Sequence, residues 1–255
     1  MNRITRFATV ALVATGLGLP LATLSAQGGK PTVAILSFNN NVFTRDARDY
    51  DGLSKGVADF LITEMAGNTS IRVIERDQVQ RLIDEQKLVT GGMIDQATAV
   101  KVGKLLGAQH MIFGGFMSDR AGNFRIDARA VNVETGQIEY TDRVQDKADN
   151  VMPLIGQLAV KLNAGLHLPM MPMRTGDASP SAAPVTGSSA GAVQAGAPAP
   201  SPRLPMKYAV MYGKALDLAD KGDRTRAVEL FGAVLKEFPD FTPARSGMTR
   251  LKPGA

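Results

Sequence analysis

Acidic and basic side chains are concentrated in one short stretch of the sequence, Val73–Gln86, which reads VIERDQVQRLIDEQ. Its fourteen residues include four acids and two arginines, directly after a short run typical of a β-strand. Charged groups gathered at the end of a strand can form an active site. The same residues can also be the solvated face of a helix. The elements that position them decide between the two interpretations.

Helical periodicity favours the solvated face. A helix from about Arg76 places most of the charged residues on one side and a mainly apolar set on the other, namely Val79, Leu82, Ile83 and Gln86. Asp77 and Arg81 stand four residues apart, a spacing at which opposite charges support an exposed helix. No histidine, serine nucleophile or metal-ligand set lies nearby in the sequence. We therefore predict an exposed amphipathic helix.

Three aspartates, Asp46, Asp49 and Asp51, form a second candidate site, since calcium loops use oxygen ligands at alternating positions. Such loops also need a central glycine and a later bidentate glutamate, and only fragments of that pattern are present. A polar loop without a bound ion is the favoured interpretation, and a calcium site is the alternative.

Other candidate groups lack the motif that their chemistry requires. Gly91-Gly92 and Gly114-Gly115 lead to no Gly-Lys-Ser/Thr and lack the dinucleotide spacing, so they predict a turn and a bulged strand. The serines Ser37 and Ser54 have no G-x-S-x-G context.

Two histidines and a group of methionines remain. His110 begins a strand beside apolar residues, which indicates a structural role, and His167 lies at a helix end, where the dipole favours a cation. A soft-metal patch could be built from Met170, Met171 and Met173, but their place beside a linker favours an incidental cluster. We therefore predict no catalytic, cofactor-binding or metal-binding residues, and a protein that is not an enzyme.

Composition excludes several classes of protein. The 255-residue chain has no cysteine, which excludes disulfides, cysteine nucleophiles and thiolate metal sites. Its net charge is +5, but residues 28–168 carry 16 Lys and Arg against 17 Asp and Glu. The main body is therefore close to neutral, and no basic stripe with interleaved aromatic residues is present. We predict no nucleic-acid partner.

The first 26 residues are typical of a signal peptide. Arg3 and Arg6 precede an apolar run, and small residues end it at Ser25-Ala26. Cleavage after Ala26 is the favoured interpretation, and an uncleaved membrane anchor is the alternative. Because no cysteine stands at the boundary, the lipid anchor of a bacterial lipoprotein cannot be attached here. We expect an exported, periplasmic protein, with outer-membrane association as a further possibility.

Three segments follow the predicted signal peptide. Residues 30–168 alternate strand-like and helix-like patterns, and residues 169–205 are rich in Pro, Ala, Gly and Ser. Such a composition cannot bury enough apolar surface to offset its ordering entropy, so we predict a disordered linker. Residues 206–252 return to helical periodicity and predict a small helical hairpin.

The first segment predicts an α/β sandwich with a mixed sheet, in two or three layers. Its first strand, PTVAILSF over residues 31–38, is continuously apolar and suits burial on both faces. One helix is predicted over residues 52–67, with Gly67 as its stop, and a second over residues 95–107, between a cap at Asp95 and a stop at Gly107. Three later strands precede a closing helix over residues 151–166. Arg125, Asp127 and Arg129 alternate with apolar residues, which predicts a wet sheet face, and a shift in that pattern predicts a bulge near Ala130.

The order of these elements resembles the CsgG family of bacterial envelope proteins over roughly residues 31–167. The phrases that carry the resemblance are VIERDQVQRLIDEQ, LGA before a strand, and AVNVETGQI. More distantly, the order resembles the N-terminal domain of TolB-like proteins. The resemblance implies a periplasmic domain whose contacts are with protein partners or with further copies of itself.

The best-known members of that family form an oligomeric outer-membrane channel for curli subunits, to which each subunit adds two long transmembrane hairpins. This sequence lacks the lipid-bearing cysteine and has only Asp119–Asn123 between two strands, with a polar ladder next to it. Spanning strands need roughly 9–11 residues and an apolar lipid face. We therefore expect the periplasmic domain to carry over without the pore.

The tail resembles a single tetratricopeptide repeat. Small, apolar, turn and closing residues of that motif correspond to Ala215, Leu218, Gly222, Ala227, Phe231 and Pro239. One repeat cannot bury a continuous core. This hairpin must therefore dock on its own α/β domain, on another copy of the chain, or on a partner.

Two functions remain from the sequence. The favoured one is a non-enzymatic assembly, transport-accessory or interaction protein of the cell envelope, and the alternative is a subunit of a curli-type secretion channel. An exported hydrolase has no residue constellation behind it.

Overall fold

The computed structural model describes residues 29–43, 47–88, 93–119, 121–147, 151–169 and 204–251. The predicted signal peptide, Asp46, Gly91-Gly92 and the three methionines from Met170 lie outside the described residues, as does most of the predicted linker. The structure therefore does not test the predictions made for these residues.

A mixed six-stranded sheet forms the centre of the fold, in the order β3-β1-β4-β5-β6, with β2 beside β4. The strands are β1 (Thr32–Ile35), β2 (Asn39–Asn40), β3 (Arg72–Val73), β4 (His110–Ser118), β5 (Asn123–Asn132) and β6 (Ile138–Lys147). Strands β1, β2, β3 and β4 pair in parallel, and β4, β5 and β6 pair antiparallel. The predicted mixed-sheet α/β fold is confirmed.

Four helices cover the two faces of this sheet and make three layers. They are α1 (Leu53–Ala66), α2 (Arg76–Gln86), α3 (Gln96–Leu106) and α4 (Val151–Gly165). Apolar residues of α1 and α4 share one core with Val33 and Ile35 of β1. Those of α2 and α3 share a second core with Ala34 and Leu36. The first strand is therefore buried on both faces, as its continuous apolar run predicts.

Local signals set the helix ends where the sequence predicts them. The Asp95 carboxylate accepts a hydrogen bond from the Thr98 backbone N–H at 2.8 Å, which satisfies a free donor in the first turn of α3. Gly107 ends α3 with φ 65°, a left-handed conformation that glycine adopts at little cost. Gly67 follows the last residue of α1.

The predicted bulge lies between the pairs Ala130–Tyr140 and Val131–Ile138. Its extra residue is Glu139 of β6, whereas β5 continues to pair with β4 without interruption. The apolar pattern shifts along β5 because Val131 and Val133 join the core beneath α3, whereas the same face is open at Arg125 and Asp127.

The bulge predicted at Gly114-Gly115 is wrong, since both residues pair with β5 in regular register. These glycines allow close approach instead. A Cβ on Gly114 would lie 2.0 Å from the Asp127 carbonyl oxygen, and one on Gly115 would lie 2.3 Å from Nδ2 of Asn41. The polar loop predicted around Asp49 and Asp51 contains a short 3-10 helix, Ala47–Tyr50, and is preceded by β2.

Three helices follow at the C-terminal end, α5 (Met206–Asp220), α6 (Arg224–Glu237) and α7 (Thr242–Leu251). The hairpin prediction accounts for α5 and α6 but missed α7, a ten-residue helix that contains a proline and a glycine. Gly247 lets α7 approach α6, because a Cβ there would lie 2.7 Å from the Phe231 ring. Together α5, α6 and α7 form the C-terminal helical unit, which shares one apolar core with α1 and α4.

None of the helices among the described residues has the length and apolar character needed to cross a membrane.

Candidate functional site

Charged residues from the sheet domain meet those of the C-terminal helical unit at one place, which we call the junction cluster. Its members are Lys55 and Asp59 of α1, Arg76 and Asp77 of α2, Tyr212, Asp217 and Asp220 of α5, and Arg250 of α7. Helix α1 supplies members of the cluster and also packs against α5 through its apolar residues. The cluster therefore joins segments that are far apart in the chain.

Arg76 is the centre of the junction cluster and is buried. Its Nη1 and Nη2 atoms donate to the two carboxylate oxygens of Asp220 at 2.8 and 3.0 Å, a bidentate fork. Nη2 also lies 2.5 Å from Oδ1 of Asp77. The pKa of Arg76 is raised, because these acids outweigh the burial that opposes its charge. Arg76 therefore clamps α2 to α5.

Asp59 and Tyr212 form a buried hydrogen bond beside that clamp. The Tyr212 hydroxyl donates to Oδ2 of Asp59 at 2.5 Å, and Oδ1 of Asp59 lies 3.6 Å from Nε of Arg76. Burial raises the pKa of Asp59, although the bond from Tyr212 and the charge of Arg76 act in the opposite direction. Burial and the Asp59 carboxylate raise the pKa of Tyr212 well above its usual value, so its hydroxyl keeps its proton and remains a donor.

Lys55 closes the other side of the cluster. Its Nζ lies 2.9 Å from Oδ1 of Asp217 and 2.7 Å from Oδ2 of Asp220. Burial opposes the charge of Asp217, but hydrogen bonds from Lys221 and Lys55 outweigh it and lower its pKa. Asp220 therefore accepts from two cations on two different helices of the sheet domain.

Aromatic packing continues the contact beneath the charges. The rings of Phe60 and Tyr212 stack with centroids 5.0 Å apart, and Phe241 meets both edge-on. Helices α1 and α5 touch through glycine, since a Cβ on Gly213 would lie 1.8 Å from the Gly52 carbonyl oxygen. The sequence left three docking targets open, and the structure shows the helical unit docked on the α/β domain of its own chain.

The exposed amphipathic helix predicted over the opening stretch is present, but its first residue is buried, and Gln86, which was predicted on the mainly apolar side, is exposed. Val79 and Ile83 are buried, while Gln80 and Asp84 hydrogen-bond to each other on the open side. Arg76 was missed as a buried residue. Its spacing of three and seven residues from Val79 and Ile83 is the signal that could have found it.

The predicted pairing of Asp77 with Arg81 is wrong. Nε of Arg81 donates to the Asp77 backbone carbonyl at 3.2 Å, whereas the Asp77 carboxylate contacts Arg76 and lies 3.3 Å from Nη1 of Arg250. The carboxylate turns to the junction cluster because two arginines meet it there.

A polar cleft of about 680 Å³ lies beyond the carboxyl end of β1, between α1 and α2. In parallel sheets this position commonly receives ligands. Ser37, Ser54 and Asp51 all line it. Two hydrogen bonds fix part of its wall. The Asn39 side-chain amide donates to the Ile94 carbonyl and accepts from the Ile94 backbone N–H, each at 3.1 Å.

Other candidate residues from the sequence are separated by the fold. Asp51 accepts a hydrogen bond from Asn40, while Asp49 lies in a different groove beside α5. Nδ1 of His110 on β4 lies 2.5 Å from Oε1 of Glu139 on β6, a contact that reaches across β5. His167 has φ 49° and follows the end of α4. Over the part of the chain that the structure describes, no group of His, Asp and Glu could hold a metal ion.

The model of the family described as "Curli production assembly/transport component CsgG" matches residues 19–118, which is less than half of the chain. Comparison with curated proteins gave no match.

Solved structures resemble the chain only partially. The LpoB C-terminal domain from Escherichia coli is 15% identical, with a TM-score of 0.36, covering 49% of this chain and 89% of that one. TolB from Acinetobacter baumannii is 12% identical, with a TM-score of 0.38, covering 55% of this chain and 29% of that one. The PelC dodecamer from Paraburkholderia phytofirmans is 11% identical, with a TM-score of 0.34, covering 56% of this chain and 90% of that one.

The family match begins within the predicted signal peptide and ends at the last residue of β4. It includes β1, α1, α2 and α3, the elements whose order carries the resemblance in the sequence. The C-terminal helical unit lies beyond it, and its tetratricopeptide character stays a prediction. The resemblance to the CsgG family is therefore confirmed over residues 19–118.

Proposed function

We propose that this chain is an exported, non-enzymatic protein of the cell envelope that acts as an assembly or transport accessory through contacts with other proteins. The observation that carries this proposal is the match of residues 19–118 to the CsgG family model. The periplasm is the proposed compartment, because a signal-like segment precedes the domain.

The geometry of the junction cluster supports a role in interaction rather than in chemistry. The four acids of the cluster are each within 4 Å of a basic residue of the same cluster. Such pairs, above all the bidentate pair of Arg76 and Asp220, hold helices in a fixed arrangement. We propose that the cluster fixes the C-terminal helical unit, which then presents its outer surface to a protein partner or to a further copy of the chain.

Light scattering on residues 27–255 in buffer without detergent tests this function. The proposal expects a monodisperse monomer or small oligomer. The second candidate is a subunit of an oligomeric outer-membrane secretion channel, and the match to a family of curli assembly and transport components favours it. It expects a large ring, or aggregation that detergent prevents, and either result would replace the accessory function by the channel.

A second experiment tests the enzyme alternative. Asp84→Asn and Glu85→Gln change two exposed acids of α2 outside the junction cluster. The full chain should keep its function in the cell envelope when either acid is changed. Loss of function with folding intact, shown by an unchanged circular dichroism spectrum, would favour an active site at α2.

A further inference from the structure

A groove of about 360 Å³ lies between α2 and the C-terminal helical unit, next to the junction cluster. Four arginines line it: Arg76 and Arg81 of α2, Arg224 of α6 and Arg250 of α7. Guanidinium groups from three helices thus converge on a space within the range of volumes that small ligands occupy. We call this space the arginine groove.

Two of these arginines have donors to spare. Arg76 is taken up by Asp220 and Asp77, and Arg250 contacts Asp77. By contrast, Arg224 has no ion-pair partner among the described residues, and Arg81 bonds only through Nε to a backbone carbonyl. Arg81 and Arg224 face the groove from opposite sides, one from the sheet domain and one from the helical unit.

The acids that line the groove do not cancel this charge. Asp77, Asp84 and Asp220 stand against the four arginines, so the lining carries one net positive charge. Two of the three acids are already within ion-pair distance of Arg76, and Asp84 accepts a hydrogen bond from Gln80. The lining groups without a charged partner are therefore two cations, Arg81 and Arg224, and one anion, Asp84, so the positive charge still prevails.

The floor of the groove is apolar. Leu216 and Phe231 are buried beneath it, so the apolar surface open to a ligand comes from Ala219 and Leu251, which are partly exposed. A ligand that fits must therefore combine an anionic group for the guanidinium forks with an apolar group for the floor. Arginine is suited to phosphate because its planar fork matches two oxygens of the group.

From this geometry we infer that the arginine groove binds a small phosphate monoester with an apolar or aromatic substituent, using Arg81 and Arg224. The inference goes beyond the proposed function, since it assigns a ligand rather than a protein partner. The site is complete only when the helical unit is docked, because Arg224 and Arg250 belong to that unit and Arg81 does not. Ligand binding and docking consequently stabilise each other.

Calorimetric titration of the full chain with phenyl phosphate tests the inference. Phenyl phosphate should bind more tightly than inorganic phosphate, because only the former reaches the apolar floor, and more tightly than benzoate, because the phosphate offers more oxygens and charge. Equal affinity for phenyl phosphate and inorganic phosphate, or tighter binding of benzoate, would overturn the assigned ligand class. Absence of heat at millimolar phenyl phosphate would overturn the site.

Matched variants locate the binding. Arg224→Gln and Arg81→Gln should each weaken phenyl phosphate binding about tenfold, the loss expected for a hydrogen bond to a charged group. Arg226→Gln is the control, since Arg226 is exposed on the same helix, pairs with Asp223 at 3.6 Å and does not line the groove. Equal affinity in Arg224→Gln and Arg226→Gln would place the ligand elsewhere. Phenyl phosphate should also raise the melting temperature of the wild type, and a rise of equal size in Arg224→Gln would contradict the site.

Discussion

At the residue scale, the bond between Tyr212 and Asp59 places a hydroxyl against a carboxylate that water barely reaches. A buried acceptor that loses its donor bears the cost of its lost hydration without compensation. Because water cannot take the place of a missing partner at this buried site, loss of either group should lower the free energy of unfolding.

Tyr212→Phe should lower the free energy of unfolding by about 1–3 kcal/mol, because Asp59 loses its donor while the ring packing on Phe60 is kept. Urea unfolding followed by circular dichroism measures the change. Tyr208→Phe is the control, since the Tyr208 ring is only partly buried, and its effect should stay within about 0.5 kcal/mol. Similar effects from the two variants would contradict a special role for the buried bond.

The raised pKa of Asp59 makes the free energy of unfolding depend on pH, and the direction of the shift sets the sign. Burial raises the pKa of Asp59 above the ordinary value of 3.8, so the folded protein keeps this proton at pH values where the unfolded chain has lost it. The folded state binds more protons in that window, so this contribution to the free energy of unfolding falls as the pH rises from 3.8 through the raised pKa.

Asp59→Asn removes that titration. The difference in free energy of unfolding, wild type minus variant, should decrease as the pH rises from about 3.5 to 7, because all other groups contribute to both proteins. Urea unfolding at a series of pH values measures it. A difference that stays constant or grows with pH would show that Asp59 is not protonated preferentially in the folded protein.

At the element scale, helices α1 and α5 cross where two backbones touch. The start of α1 meets Gly213 so closely that a side chain on Gly213 has no space. Glycine lowers helix propensity by about 1 kcal/mol relative to alanine, so its presence inside α5 needs a packing reason. The crossing provides that reason.

Gly213→Ala should therefore destabilise the protein by about 1–3 kcal/mol through overpacking, despite its better helix propensity. Gly232→Ala is the matched control inside α6, where a Cβ would meet only the end of Met248 at 3.7 Å. That change should stabilise by up to about 1 kcal/mol. Thermal unfolding compares the two variants, and shifts of the same sign would contradict the crossing geometry.

At the scale of the whole molecule, the C-terminal helical unit is bound to the sheet domain by non-covalent contacts in addition to the covalent connection of the polypeptide. Arg76 is buried and supplies the central ion pair of that contact, and its removal leaves the buried Asp59 without a cation and Asp220 with Lys55 alone. Breaking a buried ion pair by removing one partner costs about 3–5 kcal/mol. The strength of docking should therefore depend strongly on this residue.

A protease recognition sequence inserted between residues 169 and 204 makes the docking measurable. After cleavage of the folded protein, the helical unit should co-elute with the sheet domain on gel filtration. Cleaved Arg76→Ala should release it. Arg81→Ala, on the exposed side of the same helix, is the control and should retain it. Release from the wild type, or retention by Arg76→Ala, would show that the junction cluster does not hold the unit.

Local sequence patterns were sufficient for most elements. Helix α3 begins at the Asp95 cap and ends at Gly107, as predicted, because both signals act within one turn. The wet face of β5 follows from the alternation of Arg125, Asp127 and Arg129. The missed helix α7 is short and contains a proline and a glycine, and its Gly247 packs closely against the Phe231 ring of α6.

The sequence by itself determined the mixed α/β sandwich, the strand buried on both faces and the order of elements that resembles the CsgG family, because periodicity, caps and turns are local properties. Only the tertiary structure decided where Arg76 points and what it binds. Arg76 and Asp220 are 144 residues apart, and no local pattern brings two such groups together. The junction cluster and the arginine groove exist because the helical unit docks on α1 and α2, and that contact depends on the packing of the whole chain.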